Sequence, residues 1–281
     1  MTDDKKEQIW SCKKASADMR KDIIEMTYSA GGLGAHAGGA LSMVEIMSVL
    51  YLAVMKYDSN NPMWTERDRL MLSKGHGCMA LYAALKQIGI LTDLSSFKKN
   101  ETRLYAHPSL NMEIGVECSS GSLGMGLSFG VGQALALKKK NNPAHVYVIL
   151  GDGECDEGSV WESAMSASHF KLDNLTAIID NNHLQYDGET DEIMFLDSLE
   201  EKWKAFGWDV YKADGHSVEE LFAVLKAESN RPKAVIADTI KGKGVSFMEN
   251  NPAWHNASLS AQNYEKAMQE QEEAYNELLT S

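Results

Sequence analysis

Two short words in this sequence have the residue types and spacing to hold a metal ion and a diphosphate. Gly151-Asp152-Gly153 follows the apolar run His145 to Leu150, and Asn181-Asn182 follows a second run, Leu175 to Asp180, after twenty-seven intervening residues. A buried strand that delivers Asp152 to its carboxyl end offers a hard cation an anionic oxygen, and the flanking glycines let a phosphate approach the backbone. An asparagine adds a neutral carbonyl oxygen. With one main-chain carbonyl this makes a three-oxygen set that leaves room for two phosphate oxygens and a water, which suits octahedral Mg2+ and also admits Ca2+ or Mn2+. Gly-Asp-Gly alone is an ordinary tight turn. Its weight comes from the strand before it, the helix-forming segment Gly158 to Phe170 after it, and the second strand ending in Asn-Asn.

The histidines add a second signal. Four of the eight, His36, His76, His107 and His255, sit in glycine-rich or turn-like settings. A lone histidine is more often a surface or satisfied core residue than a catalyst, but four in such settings point to proton transfer or anion contact. His145, His169 and His216 read as structural or exposed, and His183 as backbone beside Asn182. Lys74 reads equally as a phosphate contact and as a solvated lysine. Gly121, Gly124 and Gly126 would bring main-chain amides near a ligand.

Elements able to position these residues can be read from the hydrophobic periodicity. Residues 8–30 predict an amphipathic helix closed by Gly31-Gly32, Ser42 to Lys56 a second, Cys78 to Ile88 a third, and Ser119 to Leu137 a glycine-led, small-residue helix. Asp68 to Ser73 reads as a short strand or loop delivering Lys74-Gly75-His76. Trp208 to Tyr211 and Lys233 to Ala237 read as strands, separated by a helix starting near Ser217, and residues 260–278 as a terminal helix capped by Ser260. Successive strand–helix–strand units predict an α/β fold with a doubly wound parallel sheet, in which ligands lie beyond the carboxyl ends of the strands.

The totals limit the classes of function. At 281 residues the chain fits one large α/β domain or two small ones, and the regular alternation of elements favours one domain over 1–281. Forty acidic against 27 basic residues, a net charge of −13, argue against a nucleic-acid partner. Four cysteines without a CxxC pair suit reduced thiols, and a structural zinc site is not expected. No apolar stretch has the length of a membrane span, and the charged N-terminus is unlike a secretory leader, so a cytoplasmic protein without a membrane partner is expected. The Lys138–Lys140 run and the Glu/Gln-rich tail read as solvated helix surface.

The words taken together resemble the transketolase family. GAHAGGALS at 34–42, DRLMLSKGHG at 68–77, AHPS at 106–109, SSGSLGMG at 119–126, KGKG at 241–244 and WH at 254–255 accompany the GDG and Asn-Asn words in order, from about residue 30 to residue 260. The GDG to Asn-Asn spacing itself is similar to the thiamine diphosphate signature that transketolases share with pyruvate dehydrogenases and related decarboxylases. The resemblance implies a pyrophosphate-binding domain in which Asp152, Asn182 and the Leu184 main-chain carbonyl hold the metal. It implies further that Gly153, His76, Lys241 and His255 meet the diphosphate side of thiamine diphosphate, with Gly121, Ser122 and Leu123 along its middle. His36 and His255 would flank the reactive carbon, His107 would bind the terminal hydroxyl of a ketose donor, and Glu157 would link paired active sites across a subunit interface. Two positions depart from the pattern. Ala37 stands where many members carry proline, which could loosen the His36 loop, and Ser109 where many carry glutamate, which bears on the donor end of the pocket.

The resemblance also implies what lies elsewhere. In the family, the carboxylate that activates the cofactor is on a pyrimidine-binding domain following the region matched here, and this chain is expected to stop before it. The expectation is therefore the N-terminal subunit of a split transketolase, inactive alone, transferring a two-carbon ketol unit from a ketose to an aldose when joined to a C-terminal subunit in an α2β2 assembly. Pentose phosphates, a branched pentose phosphate and a sulfonated ketose stay open as donors. Three alternatives compete with this reading, the nearest being a deoxyxylulose phosphate synthase fragment, which the HP and SSGSLG words fit less well than transketolase. The α subunit of a 2-oxo acid dehydrogenase or decarboxylase lacks the SKGH, HP and KGKG…WH words. An inactive cofactor-binding scaffold is disfavoured by the intact Asp, Asn and His set.

Overall fold

A computed structural model describes residues 3–280. Five strands, β1 (Arg69–Leu72), β2 (Val146–Gly151), β3 (Leu175–Asn181), β4 (Asp209–Asp214) and β5 (Lys233–Asp238), form one sheet in the order β1-β2-β3-β5-β4. Every neighbouring pair is parallel. The central strands are apolar almost without a break because both faces of a parallel sheet are covered. On β2, Val146, Val148 and Leu150 enter one core, while Tyr147 and Ile149 enter the other. On β5, Ala234 and Ile236 alternate with Val235 and Ala237 in the same way.

Helices close each face. Met125–Lys139 and Gly158–His169 bring Leu127, Val131, Val160 and Ala164 to one side, where Trp203 and Trp208 join them. Asp3–Ser29, Cys78–Gln87 and Val218–Lys226 bring Ile23, Leu81 and Leu221 to the other. This is the doubly wound α/β arrangement that the alternation of elements predicts. Its parallel strands carry all their carboxyl ends to one edge, and that edge holds the chemistry-bearing words. All four cysteines are buried and free. Among the described residues, no helix is long and apolar enough to cross a membrane.

Several element bounds differ from the sequence expectation, for physical reasons. The first helix starts at Asp3 rather than residue 8, with Asp3 and Asp4 in its first turn, where carboxylates oppose the positive end of the helix dipole. The segment expected as one helix from Ser42 divides into Val44–Val49 and a π-helical turn, Leu50–Val54, closed by a Met55 N–H to Leu50 carbonyl bond of 2.8 Å. The glycine-led helix begins only at Met125, because Gly121 and Gly124 have φ of +135° and +81°, outside the right-handed helix. The terminal helix is Ala261–Thr280, and the Ser260 hydroxyl accepts from the Asn263 N–H at 3.2 Å. It lies against the first helix through the stacked rings of Tyr28 and Tyr264, 4.3 Å apart.

The register between the 125–139 helix and the end of β1 depends on Gly126. A Cβ there would lie 2.7 Å from the Ser73 Cα and closer still to its side chain. Gly126→Ala is expected to destabilise the chain by about 1–3 kcal/mol through overpacking, seen as a lower urea midpoint at unchanged slope. An unaltered midpoint would mean that this contact does not constrain the helix.

Candidate active site

The loops leaving β1, β2, β3 and β5 converge on a cavity of about 310 Å3, whose lining includes His76, Asp152, Asn182, Leu184, Lys241 and His255. Asp152 is almost wholly buried. One carboxylate oxygen accepts from the Gly153 N–H at 2.9 Å and the other from the His183 N–H at 2.5 Å. His183 reaches that position with φ of +60° and leaves its ring exposed, so it acts here through its backbone, as expected. Burial, with the Asp180 carboxylate nearby, pushes Asp152 up to about 6.

The three oxygens assigned to a metal come from two loops, Asp152 after β2 and Asn182 and Leu184 after β3, joined by the His183 N–H to Asp152 bond. The Asn182 carbonyl oxygen accepts from the Leu184 N–H at 3.2 Å, and the Leu184 main-chain carbonyl accepts from the Lys241 ammonium at 3.0 Å. A buried carboxylate, a side-chain amide oxygen and a main-chain carbonyl are the donors a hard divalent cation takes, and the Lys241 ammonium now on the Leu184 carbonyl would have to give way to it. Among the described residues there is no group of three or more His, Cys, Asp or Glu able to hold a metal ion. The set here does not need one, because two of its three donors are uncharged carbonyls. The buried Nδ1 of His255 has no hydrogen-bond partner, so the cavity wall carries a polar atom that a ligand could satisfy.

The four singled-out histidines come together although up to 219 residues separate them in sequence. The His36 ring centroid is 5.7 Å from that of His76 and 5.4 Å from those of His107 and His255, and His76 is 5.3 Å from His255. Burial, with neighbouring cations, lowers His36 to about 4 and His255 to about 3, and drives His76 well below the usual imidazole range. These rings are therefore neutral near pH 7, each with one N–H to give and one nitrogen to accept. His107 is exposed at the rim and is lowered less, by partial burial and Lys98. The left-handed φ of Gly121 lets the backbone pass close to the His107 ring, where a Cβ would sit 3.1 Å from Cδ2.

Ala37 is buried and opens the short helix Ala37–Leu41, the position at which proline is also favoured, so that helix forms with alanine. The preceding loop makes reciprocal Ala35–Ala257 main-chain bonds of 3.0 and 3.2 Å. Leu123 lines the cavity, whereas Gly121 and Ser122 lie exposed beside it. Glu157 is not brought into the cavity. It is exposed, immediately before the helix Gly158–His169. Ser109 is exposed as well.

Sequence reasoning missed the buried polar hub behind these residues. Asp180, with no exposed surface, accepts hydrogen bonds from Lys74, from the Ser42 and Thr239 hydroxyls at 2.5 Å each, and from the Asn182 side-chain N–H at 3.3 Å. Burial opposes its charge, but Lys74 and the hydroxyls hold it below the usual carboxylate range. Lys74 is only 1% exposed and paired with Asp180, so it is not a solvated lysine, and it lines the cavity. Glu154 is a second hidden anchor, accepting from the Ser73 hydroxyl, the Gly124 N–H at 2.8 Å and the Gly151 N–H at 3.1 Å. The available signal was a charged residue ending an otherwise apolar strand, Leu175 to Asp180.

Residues 17–275 match the family model described as transketolase, thiamine diphosphate binding domain. A 6-deoxy-6-sulfo-D-fructose transketolase subunit of Clostridium sp. (strain MSTE9) is 44% identical over 246 residues, covering 86% of this chain and 89% of that protein. An apulose-4-phosphate transketolase subunit of Phocaeicola vulgatus is 38% identical, covering 96% of this chain and 97% of that protein. Among solved structures, transketolase from Campylobacter jejuni superposes with a TM-score of 0.83 at 28% identity, over 95% of this chain. The chain spans only 43% of the length of that structure.

The hub makes a prediction about stability. Asp180→Ala would leave Lys74 as an unpaired buried charge and is expected to cost about 3–5 kcal/mol in chemical denaturation. A loss under about 1 kcal/mol would mean that Lys74 escapes to solvent and the hub is dispensable.

Proposed function

The chain belongs to the transketolase family, and from that premise we propose that it is the diphosphate-binding subunit of a transketolase divided between two polypeptides. The observation that carries this reading is the convergence of Asp152, Asn182, the Leu184 carbonyl and Lys241 with His36, His76 and His255 at the carboxyl ends of the sheet strands. Thiamine diphosphate, when bound, supplies the nucleophilic carbon and electron sink for breaking and making a carbon–carbon bond next to a carbonyl. Asp152, Asn182 and Leu184 would hold its Mg2+, and Lys241, Gly153 and His76 would face its phosphates. Burial brings Lys241 down to about 8, and an anion beside it would favour the charged ammonium.

The neutral imidazoles set what the other residues can do. A ring with a depressed pKa can accept a proton from a substrate hydroxyl and return it, or hold a developing oxyanion through its N–H. His36 and His255, whose rings lie 5.4 Å apart edge to face, are the pair for this work. His107, at the rim, is suited to the terminal hydroxyl of the donor. Glu157, on the exposed surface, is suited to a subunit contact, with the C-terminal subunit contributing the pyrimidine-binding domain and the activating carboxylate in an α2β2 assembly. Residues 1–281 form one domain in this reading, and the assembly is cytoplasmic.

The relatives support a donor class. One carries 6-deoxy-6-sulfo-D-fructose in its name and the other apulose-4-phosphate, both ketoses that end in an anion. A ketose with a phosphate or sulfonate terminus is the proposed donor, and an aldose the acceptor.

The test is ketol transfer by this chain assembled with its second subunit, thiamine diphosphate and Mg2+. Asp152→Ala removes the charged metal ligand and is expected to lower activity by at least about a hundredfold and to abolish calorimetric cofactor binding; undiminished activity would reject the clasp. Pyruvate decarboxylation without ketol transfer would assign the chain to the 2-oxo acid enzymes, and binding without turnover would make it a scaffold. His107→Ala is expected to raise the donor KM by about tenfold or more while leaving the cofactor Kd within about twofold. Equal losses in both would remove His107 from the donor site.

A further inference from the structure

The loop that carries Lys241 is held from behind by a buried polar chain to which the reading above gives no role. His216 follows β4 and lines a different cavity, about 380 Å3, together with Arg20, Glu45, Lys243 and Gln271. Its Nε2 lies 2.8 Å from the Ile240 main-chain N–H, and its Nδ1 lies 3.1 Å from a Glu45 carboxylate oxygen. A main-chain N–H can only donate, so Nε2 is the acceptor and the ring proton sits on Nδ1, facing Glu45. The other Glu45 oxygen receives the Arg20 guanidinium at 2.6 Å, and the same Arg20 donates from Nε to the Lys243 carbonyl at 3.3 Å.

Arg20, Glu45 and His216 thus grip the 240–243 segment at both ends, one residue before Lys241 and two after it. All three side chains are nearly buried, at 11%, 8% and 13% exposure. The segment's middle is fastened by the Gly242 N–H to the Gly38 carbonyl at 3.0 Å and by the Lys241 carbonyl to the Asn250 N–H at 2.9 Å. From this braced backbone Lys241 extends to the Leu184 and Gln185 carbonyls, at 3.0 and 3.2 Å.

We infer that His216 is a positioning residue: through the Ile240 amide, with Glu45 and Arg20 behind it, it fixes the Lys241 ammonium where it meets the diphosphate. The inference rests on the reading of Lys241 given above and extends it to residues that never touch the ligand. Such outer partners of a binding group are worth roughly tenfold or more in affinity elsewhere.

Two measurements on the full chain test it. In cofactor-free protein, amide hydrogen exchange at Ile240 is expected to quicken in His216→Leu and to stay slow in His216→Gln, whose carboxamide oxygen can replace Nε2. His216→Asn serves if the Leu variant does not fold. It retains a donor toward Glu45 but is too short for Ile240, and it is expected to behave as Leu does. In the complex assembled with Mg2+ and the second subunit, the thiamine diphosphate Kd is read by calorimetry. His216→Leu or His216→Asn is expected to weaken binding about tenfold, His216→Gln by no more than about twofold, and the double variant with Lys241→Ala no more than Lys241→Ala alone. Additive losses in the double variant would overturn the inference, as would Ile240 exchange that ignores the loss of the His216 acceptor. If Ile240 exchange responds as expected but Lys241→Ala leaves the Kd unchanged, the brace stands and the placing of Lys241 at the diphosphate falls.

Discussion

A carboxylate without solvent at the end of β3 is the constraint on which the site depends. Asp180 cannot remain charged there unless its neighbours replace the lost hydration, and four segments supply the replacement: Lys74 after β1, Ser42 after the Ala37–Leu41 helix, Thr239 after β5, and Asn182 two residues on. A buried ion pair adds little net stability, since desolvation of both partners offsets their attraction. Its effect is instead to dictate geometry. Lys74 tied to Asp180 sets the turn that presents His76, and Thr239 tied to the same carboxylate sets the start of the loop that presents Lys241. The Asn182 amide nitrogen bonded to Asp180 turns its side-chain carbonyl oxygen to the Leu184 N–H. Shifting any one loop leaves a buried charge or hydroxyl unsatisfied, which costs more than a surface contact would.

Around this hub the cavity is short of counter-charge. Burial drives Asp152 up to about 6 and Lys241 down to about 8, so each is pushed toward its neutral form. A divalent cation beside the carboxylate and an anion beside the ammonium would each reverse the shift. The histidine cluster follows the same rule in a different way. Rings with centroids 5.3 to 5.7 Å apart in a partly buried wall resist protonation, and the ammonium groups of Lys74 and Lys241 increase that resistance. The wall therefore offers neutral donors and acceptors where a reaction moves protons between hydroxyl and carbonyl oxygens.

The part of this arrangement legible in the sequence is the part written locally. Apolar runs of strand length ending in Gly-Asp-Gly and Asn-Asn specify both the elements and the residues at their ends, and the doubly wound sheet follows from their alternation with helices. The histidines could be chosen because each sits in a glycine-rich or turn-like setting rather than on an amphipathic helix face. Pairings across the fold were not legible. Lys74 and Asp180 stand 106 positions apart, and Glu45 and His216 171 apart. Nothing in the words around Lys74 distinguishes a buried partner from a solvated side chain. His216, in the stretch Asp214-Gly215-His216-Ser217, reads as an ordinary turn residue until the sheet carries it beneath the loop after β5. The helix expected from Ser42 to Lys56 is borne out in part, as Val44–Val49 followed by the π-helical turn, since periodicity does not separate an α-helical from a π-helical turn in a mostly apolar stretch.

These hidden pairings explain how loops can carry an ordered site. Segments leaving a parallel sheet are the natural place for ligands, but loops are also the least constrained part of the backbone. Here three segments near the cavity are each tied by a polar side chain belonging to another segment: the β1 loop by Asp180, the 119–124 loop by Glu154 through the Gly124 N–H, and the β5 loop by His216 through the Ile240 N–H. In the latter two the tie reaches a main-chain N–H, which fixes the backbone and leaves the functional side chain free to face the cavity. A ligand entering such a site has less ordering to impose, and its binding free energy is left for orienting the reacting groups.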